Sequence, residues 1–250
     1  MGTVGYHEWF EITAEDGEEV TYKYSGFPKE LDCWTDETDA KLIRDGYATI
    51  SSVKYDQNDP EGNDKNMNEV VRFKREDTVL VVIDLQERLM PAMYEAERTE
   101  NRNVRLISGM KLLNVPVLAT TQYAKGLGQT VAPVADALAD CPVFDKTYFS
   151  AYKDEAFRKA LEETGRKTVV ITGVESHVCV QQTALDMIQA GYKVALAMDC
   201  VSSRTAESIR NAEMTLSAAG ACLTCTESVL FDLLESAKAP EFKQISAIIK

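Results

Sequence analysis

The chain has 250 residues, 45% of them hydrophobic, enough to bury the core of one large domain or of one domain with an extension. Its formal net charge of −13 argues against a surface that tracks phosphate backbones, because that binding rests on clustered Lys and Arg. No apolar run reaches the roughly 18 residues of a membrane span, and the opening MGTVGYHEWFEIT lacks a basic region followed by an apolar one. The reading is a cytoplasmic protein with neither membrane nor nucleic-acid partners.

In chain order, residues 1–75 form an acidic extension of net charge −8, against −5 for the longer remainder. Within it, YHEWFEIT and VTYKYSGF are aromatic and β-branched stretches on either side of AEDGEE, which predicts a β-hairpin turning near Asp16-Gly17. The segment YDQNDPEGNDKNMN then reads as a solvated linker.

From residue 78 onward short apolar runs alternate with amphipathic ones. Strands are predicted over 78–84, 115–120, 142–146, 167–173, 193–199 and 221–226, with helices near 97–113, 153–164, 178–190, 204–219 and 227–237. Near-continuous apolar strands separated by amphipathic helices indicate an α/β fold: a doubly wound, mainly parallel six-stranded sheet with helices on both faces, occupying residues 76–250. Gly191 and Gly220 stand where two of these helices need a left-handed terminal residue.

The cysteines Cys33, Cys141, Cys179, Cys200, Cys222 and Cys225 are few, and most sit in apolar runs, which suits reduced thiols better than a disulfide framework. Cys222 and Cys225 have redox or metal spacing, but no second pair and no nearby His completes four zinc ligands, so a half-buried strand is the plainer reading.

Ligands in such folds lie beyond the carboxyl ends of the strands. Three polar residues close strands there: Asp84 in VVIDLQ, Lys146 in VFDKTYFS, and Cys179 in the turn after VVITGVES. A thiol attacks as its thiolate, which a helix N-terminus and a nearby Lys favour. A carboxylate in reach takes the proton and later returns it to a leaving group. Singly, each residue has a plain structural role: a capping Asp, a solvated Lys, a core Cys. Their shared placement at strand ends is what suggests chemistry.

VLVVIDLQ, FDKTYFS and ITGVESHVCVQQTALD, in this order, resemble the three motif regions of the isochorismatase-like cysteine hydrolases, which include nicotinamidases and N-carbamoylsarcosine amidases. The resemblance covers about residues 76–250 and implies the Rossmann-like fold of that family. It further implies Cys179 as nucleophile, Asp84 as general base and acid, and Lys146 as the cation beside them. It also implies a cis peptide between Val174 and Glu175, with the backbone N–H groups of Glu175 and Cys179 turned to an oxyanion. No cofactor is implied.

TTQYAKGLGQTV resembles an uncharacterised branch of isochorismatase-domain proteins. Nicotinamidases carry an Asp and several His here for a metal, whereas this chain has only His7 and His177, so the expectation is no metal. Cys179 also sets the chain apart from isochorismatases that lack a cysteine nucleophile. His177, two residues before Cys179, is expected to point away from it and to pack or brace the turn.

Gln122, Tyr123, Tyr148 and Phe149 follow strand ends, and Gln122 and Tyr148 are taken as candidate pocket residues for a small-molecule substrate. The family resemblance implies a homo-oligomer. The expected reaction is hydrolysis of a small amide or related acyl compound through a thioester. The alternatives are a catalytically idle oligomeric scaffold of the same fold, and a thiol redox sensor joining Cys179 to Cys222 and Cys225.

Overall fold

The computed structural model describes residues 10–16, 19–24 and 71–250. The chain divides into two units, Met1–Asn66 and Met67–Lys250. In the first, β1 (Phe10–Asp16) pairs antiparallel with β2 (Glu19–Tyr24), setting Phe10 opposite Tyr24 and Asp16 opposite Glu19. Gly17 of the expected turn, the linker, His7 and Cys33 lie outside the described residues.

The second unit is built on six strands: β3 (Thr78–Ile83), β4 (Val117–Gln122), β5 (Val143–Lys146), β6 (Thr168–Gly173), β7 (Lys193–Val201) and β8 (Cys222–Thr224). All are parallel, in the order β5-β4-β3-β6-β7-β8. The first strand in sequence is therefore central, and the winding reverses between β3 and β6. That reversal opens the crevice in which doubly wound folds bind ligands.

Helices cover both faces because the central strands are apolar on both. Leu80 and Val82 join one core cluster with Leu106, Met110, Leu230 and Ile245, while Val79, Val81 and Ile83 join the other with Phe157, Leu161, Met187 and Leu216. The first face carries α1 (Ala96–Leu112), α3 (Ala132–Ala137), α7 (Thr226–Leu234) and α8 (Phe242–Ile249). The second carries α4 (Glu155–Glu163), α5 (Gln181–Gln189) and α6 (Ala206–Ala218). α1 packs so closely on α7 that a Cβ at Gly109 would come 2.5 Å from Leu230 Cδ2.

Several elements differ from the sequence pattern. β4 starts at Val117 and runs on to Gln122, so Gln122 closes the strand instead of following it. α8, α3 and the four-residue α2 (Ala124–Leu127) are additional; α2 and α3 are too short to show a helical period. The final strand shrinks to Cys222–Thr224 because it is an edge, paired only with β7. Gly191 and Gly220 hold φ of 86° and 93° just after α5 and α6, the left-handed geometry that releases a helix.

Candidate active site

Each site residue is delivered by the end of a strand. β3 ends at Ile83, and Asp84 follows with φ of 53°, its N–H donating to Thr120 O at 3.1 Å. β5 ends on Lys146 itself. β6 ends on Gly173, after which Val174 N–H returns to Ile83 O at 2.9 Å, the Val174–Glu175 peptide is cis, and residues Ser176–Val180 make a π-helical turn. Cys179 therefore lies in a widened turn ahead of α5, which begins at Gln181, and not in the first turn of an α-helix.

These connections bring Asp84, Lys146 and Cys179 together at the β3–β6 crevice. Asp84 and Lys146 are buried, with side chains at 0% exposure, and Cys179 is 7% exposed. Asp84 Oδ2 accepts from Lys146 Nζ at 2.7 Å, Oδ1 accepts from Thr120 Oγ1 at 2.7 Å, and the Cys179 thiol lies within reach of this carboxylate's charge. Two side-chain donors thus converge on one buried carboxylate.

The electrostatic outcome differs from a helix-activated thiolate. Burial first, and the Asp84 charge second, push the Cys179 thiol up to about 12, with Lys146 acting in the opposite direction. The resting site therefore holds a protonated thiol against a carboxylate paired with an ammonium.

The turn carrying Cys179 is braced from two sides. After β7, Ser202 O accepts from Ser176 N–H at 2.7 Å, and Ser203 Oγ lies 2.7 Å from Ser176 Oγ and 2.9 Å from His177 Nδ1. His177 is thus occupied with the β7 loop and braces the turn. Arg204 Nε donates to Glu175 Oε2 at 2.7 Å. From the other side, Thr183 Oγ1 donates to Cys179 O at 2.6 Å and accepts from Ala151 N–H at 2.9 Å.

The candidate pocket residues separate. Gln122 belongs to the buried network: its Oε1 accepts from Lys146 Nζ at 2.7 Å and its Nε2 donates to Thr147 O at 2.9 Å. Tyr148 and Phe149 are 56% and 55% exposed, and Tyr123 is 51% exposed. Sequence reasoning did not single out Thr120 or Gln86. The signal for Gln86 was its place two residues after Asp84, and for Thr120 its place near the end of the neighbouring strand.

A surface hollow of about 210 Å³ involves Tyr94, Thr99, Asp199 and Ser202 but none of the three strand-end residues. Among the described residues no group of three or more His, Cys, Asp or Glu is placed to hold a metal ion, and no helix is long and apolar enough to cross a membrane. The five described cysteines are free. Cys222 to Cys225 runs extended, the latter with φ −141° and ψ 165°. At ~3.3 Å per residue the two Cα atoms stand roughly 10 Å apart, beyond the ~7 Å limit for a disulfide. That geometry weighs against a disulfide between Cys222 and Cys225.

Comparison with known proteins agrees with this architecture. The family model described as the isochorismatase domain matches residues 78–228. The secreted isochorismatase effector Isc1 of Phytophthora sojae is 40% identical over 177 residues, 69% of this chain and 84% of that protein. Two fish relatives at 39% identity are longer, and the chain spans 61% of their length. Among solved structures, a MAR1 ribonuclease from Caenorhabditis elegans superposes with a TM-score of 0.68 at 33% identity, covering 72% of this chain and 92% of that one. YcaC from Escherichia coli, described as an octameric hydrolase of unknown specificity, gives a TM-score of 0.68 at 26% identity, covering 72% and 90%. The chain belongs to the isochorismatase family.

Proposed function

We propose that this member of the isochorismatase hydrolase fold is a cysteine hydrolase acting on a small amide or related acyl substrate through a thioester. The observation that carries this reading is the buried carboxylate of Asp84, paired with the Lys146 ammonium at 2.7 Å and close enough to act by its charge on the Cys179 thiol. Asp84 accepts the thiol proton as Cys179 Sγ attacks the substrate carbonyl. The oxyanion rests on the N–H groups of Glu175 and Cys179. In support, the Glu175 N–H has no backbone acceptor among the described residues. The tetrahedral intermediate collapses as protonated Asp84 gives its proton to the departing nitrogen, leaving the thioester. Asp84 then takes a proton from water as that water attacks, and passes it to Cys179 Sγ as the thioester breaks, releasing the acid and restoring the thiol and the carboxylate. Lys146 stays protonated throughout, and no cofactor enters.

Tyr148 stands beside this chemistry as a pocket wall, supported by its exposure two residues after Lys146. A homo-oligomer is supported by the octameric YcaC neighbour. A reducing, cytoplasmic setting is supported by the five free thiols among the described residues. Residues 1–75 are read as an acidic extension to the hydrolase domain of 76–250, although the compact second unit begins at Met67 and Phe73 joins its core. The net charge of −13 supports a small-molecule substrate over a nucleic acid.

The test is ammonia release from a panel of small primary amides by the wild type and by Cys179→Ala, with electrospray mass spectrometry to trap the acyl-enzyme. Turnover that depends on Cys179, with a mass adduct on its peptide, is the expected result. Full activity in Cys179→Ala would overturn the mechanism.

A further inference from the structure

Lys146 is a fully buried ammonium with three protons to place. Asp84 Oδ2 takes one at 2.7 Å and Gln122 Oε1 takes another at 2.7 Å. An ion pair alone leaves the end of a lysine side chain free to rotate about its partner. A second acceptor on another strand fixes its direction.

The Gln122 amide is itself oriented. Its Nε2 donates to Thr147 O at 2.9 Å, so its oxygen must face Lys146. Its backbone is clamped separately: Gln122 N–H donates to Gln86 Oε1 at 2.7 Å, and Gln86 Nε2 donates to Gln122 O at 3.2 Å and to Gly128 O at 2.8 Å. Gln86 is 0% exposed. The chain of contacts Gln86–Gln122–Lys146–Asp84 therefore ties together the ends of β3, β4 and β5.

We infer that Gln122 is a positioning residue, a neutral acceptor that aims the Lys146 ammonium at Asp84 and leaves its full charge available to that carboxylate. The inference rests on the Asp84–Lys146–Cys179 chemistry proposed above. Neutrality is the point: a carboxylate at position 122 would divide the Lys146 charge between two anions, and Asp84 would hold a proton more readily. The other charged group acting on Cys179 is Glu175, an anion that opposes the effect of Lys146 and is itself paired with Arg204. Because the backbone of Gln122 is held by Gln86, changing its side chain leaves the strand end anchored.

The experiment is the pH dependence of Cys179 alkylation by iodoacetamide, followed on the Cys179 peptide by mass spectrometry. It compares the wild type with Gln122→Met, Gln122→Glu and Asp84→Asn, each with its thermal midpoint. The rate is followed from neutral to acid pH, and its fall there is read as the acid limb. Gln122→Met removes the acceptor at similar length and is expected to slow the plateau rate about tenfold, the equivalent of one pKa unit of charge stabilisation. Gln122→Glu keeps the acceptor but adds charge, and is expected to move the acid limb to higher pH by about one unit.

Unchanged profiles in both variants would overturn the positioning role. So would equal slowing with an unmoved acid limb and a lowered thermal midpoint, which marks a merely structural residue. Wild-type and Asp84→Asn profiles that coincide would remove Asp84 as the base, overturning the proposed mechanism first and this inference with it.

Discussion

Gly173 touches Ile83 more closely than any other residue type could: a Cβ at Gly173 would stand 2.0 Å from Ile83 O and 2.7 Å from Ile83 N and C. The contact joins the end of β6 to the end of β3, one residue before Asp84 and six before Cys179. It sets how closely the Cys179 turn and Asp84 approach. With φ of 108°, Gly173 also holds a backbone conformation that side chains disfavour.

Gly173→Ala is therefore expected to cost roughly 3 kcal/mol or more, because the obstructing atoms are backbone and must move with the strand. Gly165 is the internal control. It has φ of 66° and nothing within 4 Å of a Cβ, so Gly165→Ala should cost only the ~1–2 kcal/mol of a left-handed residue. Urea unfolding of the two variants checks this, and equal costs would show that the close approach is not what matters.

How much of this was readable beforehand follows from the physics of each part. β3 and β6 are buried on every residue, and an apolar run ended by a polar residue or a glycine marks such a strand from sequence alone. The three strand-end residues were visible for the same reason. Gln86 and Thr120 were not, because their partners are set by strand register: Ile83 pairs with Thr120, a relation no local pattern carries. The state of the thiol was misread for a related reason. A cysteine ahead of a helix suggests activation by the helix, but its pKa here is decided by burial and by Asp84, 95 residues away in sequence.

The Asp84–Lys146 pair yields a second prediction. Both side chains are fully buried, so Lys146→Met leaves a carboxylate without its counter-charge, at an expected cost of about 3–5 kcal/mol. Adding Asp84→Asn removes the stranded charge and should restore most of that loss, since a neutral amide still accepts from Thr120. A double-mutant cycle by chemical denaturation reads the coupling. Additive losses would mean that the two groups do not stabilise each other.

The raised Cys179 thiol predicts a signature in stability against pH. In the unfolded chain a thiol releases its proton near pH ~8.5. In the folded chain burial and Asp84 hold that proton up to about 12. Below the unfolded value both states keep the proton, and the contribution is fully present. As pH rises from there toward 12, only the unfolded state gains by releasing it, so stability falls. Cys200, raised well above its ordinary value chiefly by burial, contributes with the same sign. Urea unfolding at pH values from neutrality into this window is therefore expected to show a downward slope in the wild type and a shallower one in Cys179→Ala. The comparison uses slopes, so the packing cost of the substitution drops out. Parallel slopes in the two proteins would show that Cys179 titrates in the folded chain as it does in the unfolded one, and the protonated resting thiol would have to be abandoned.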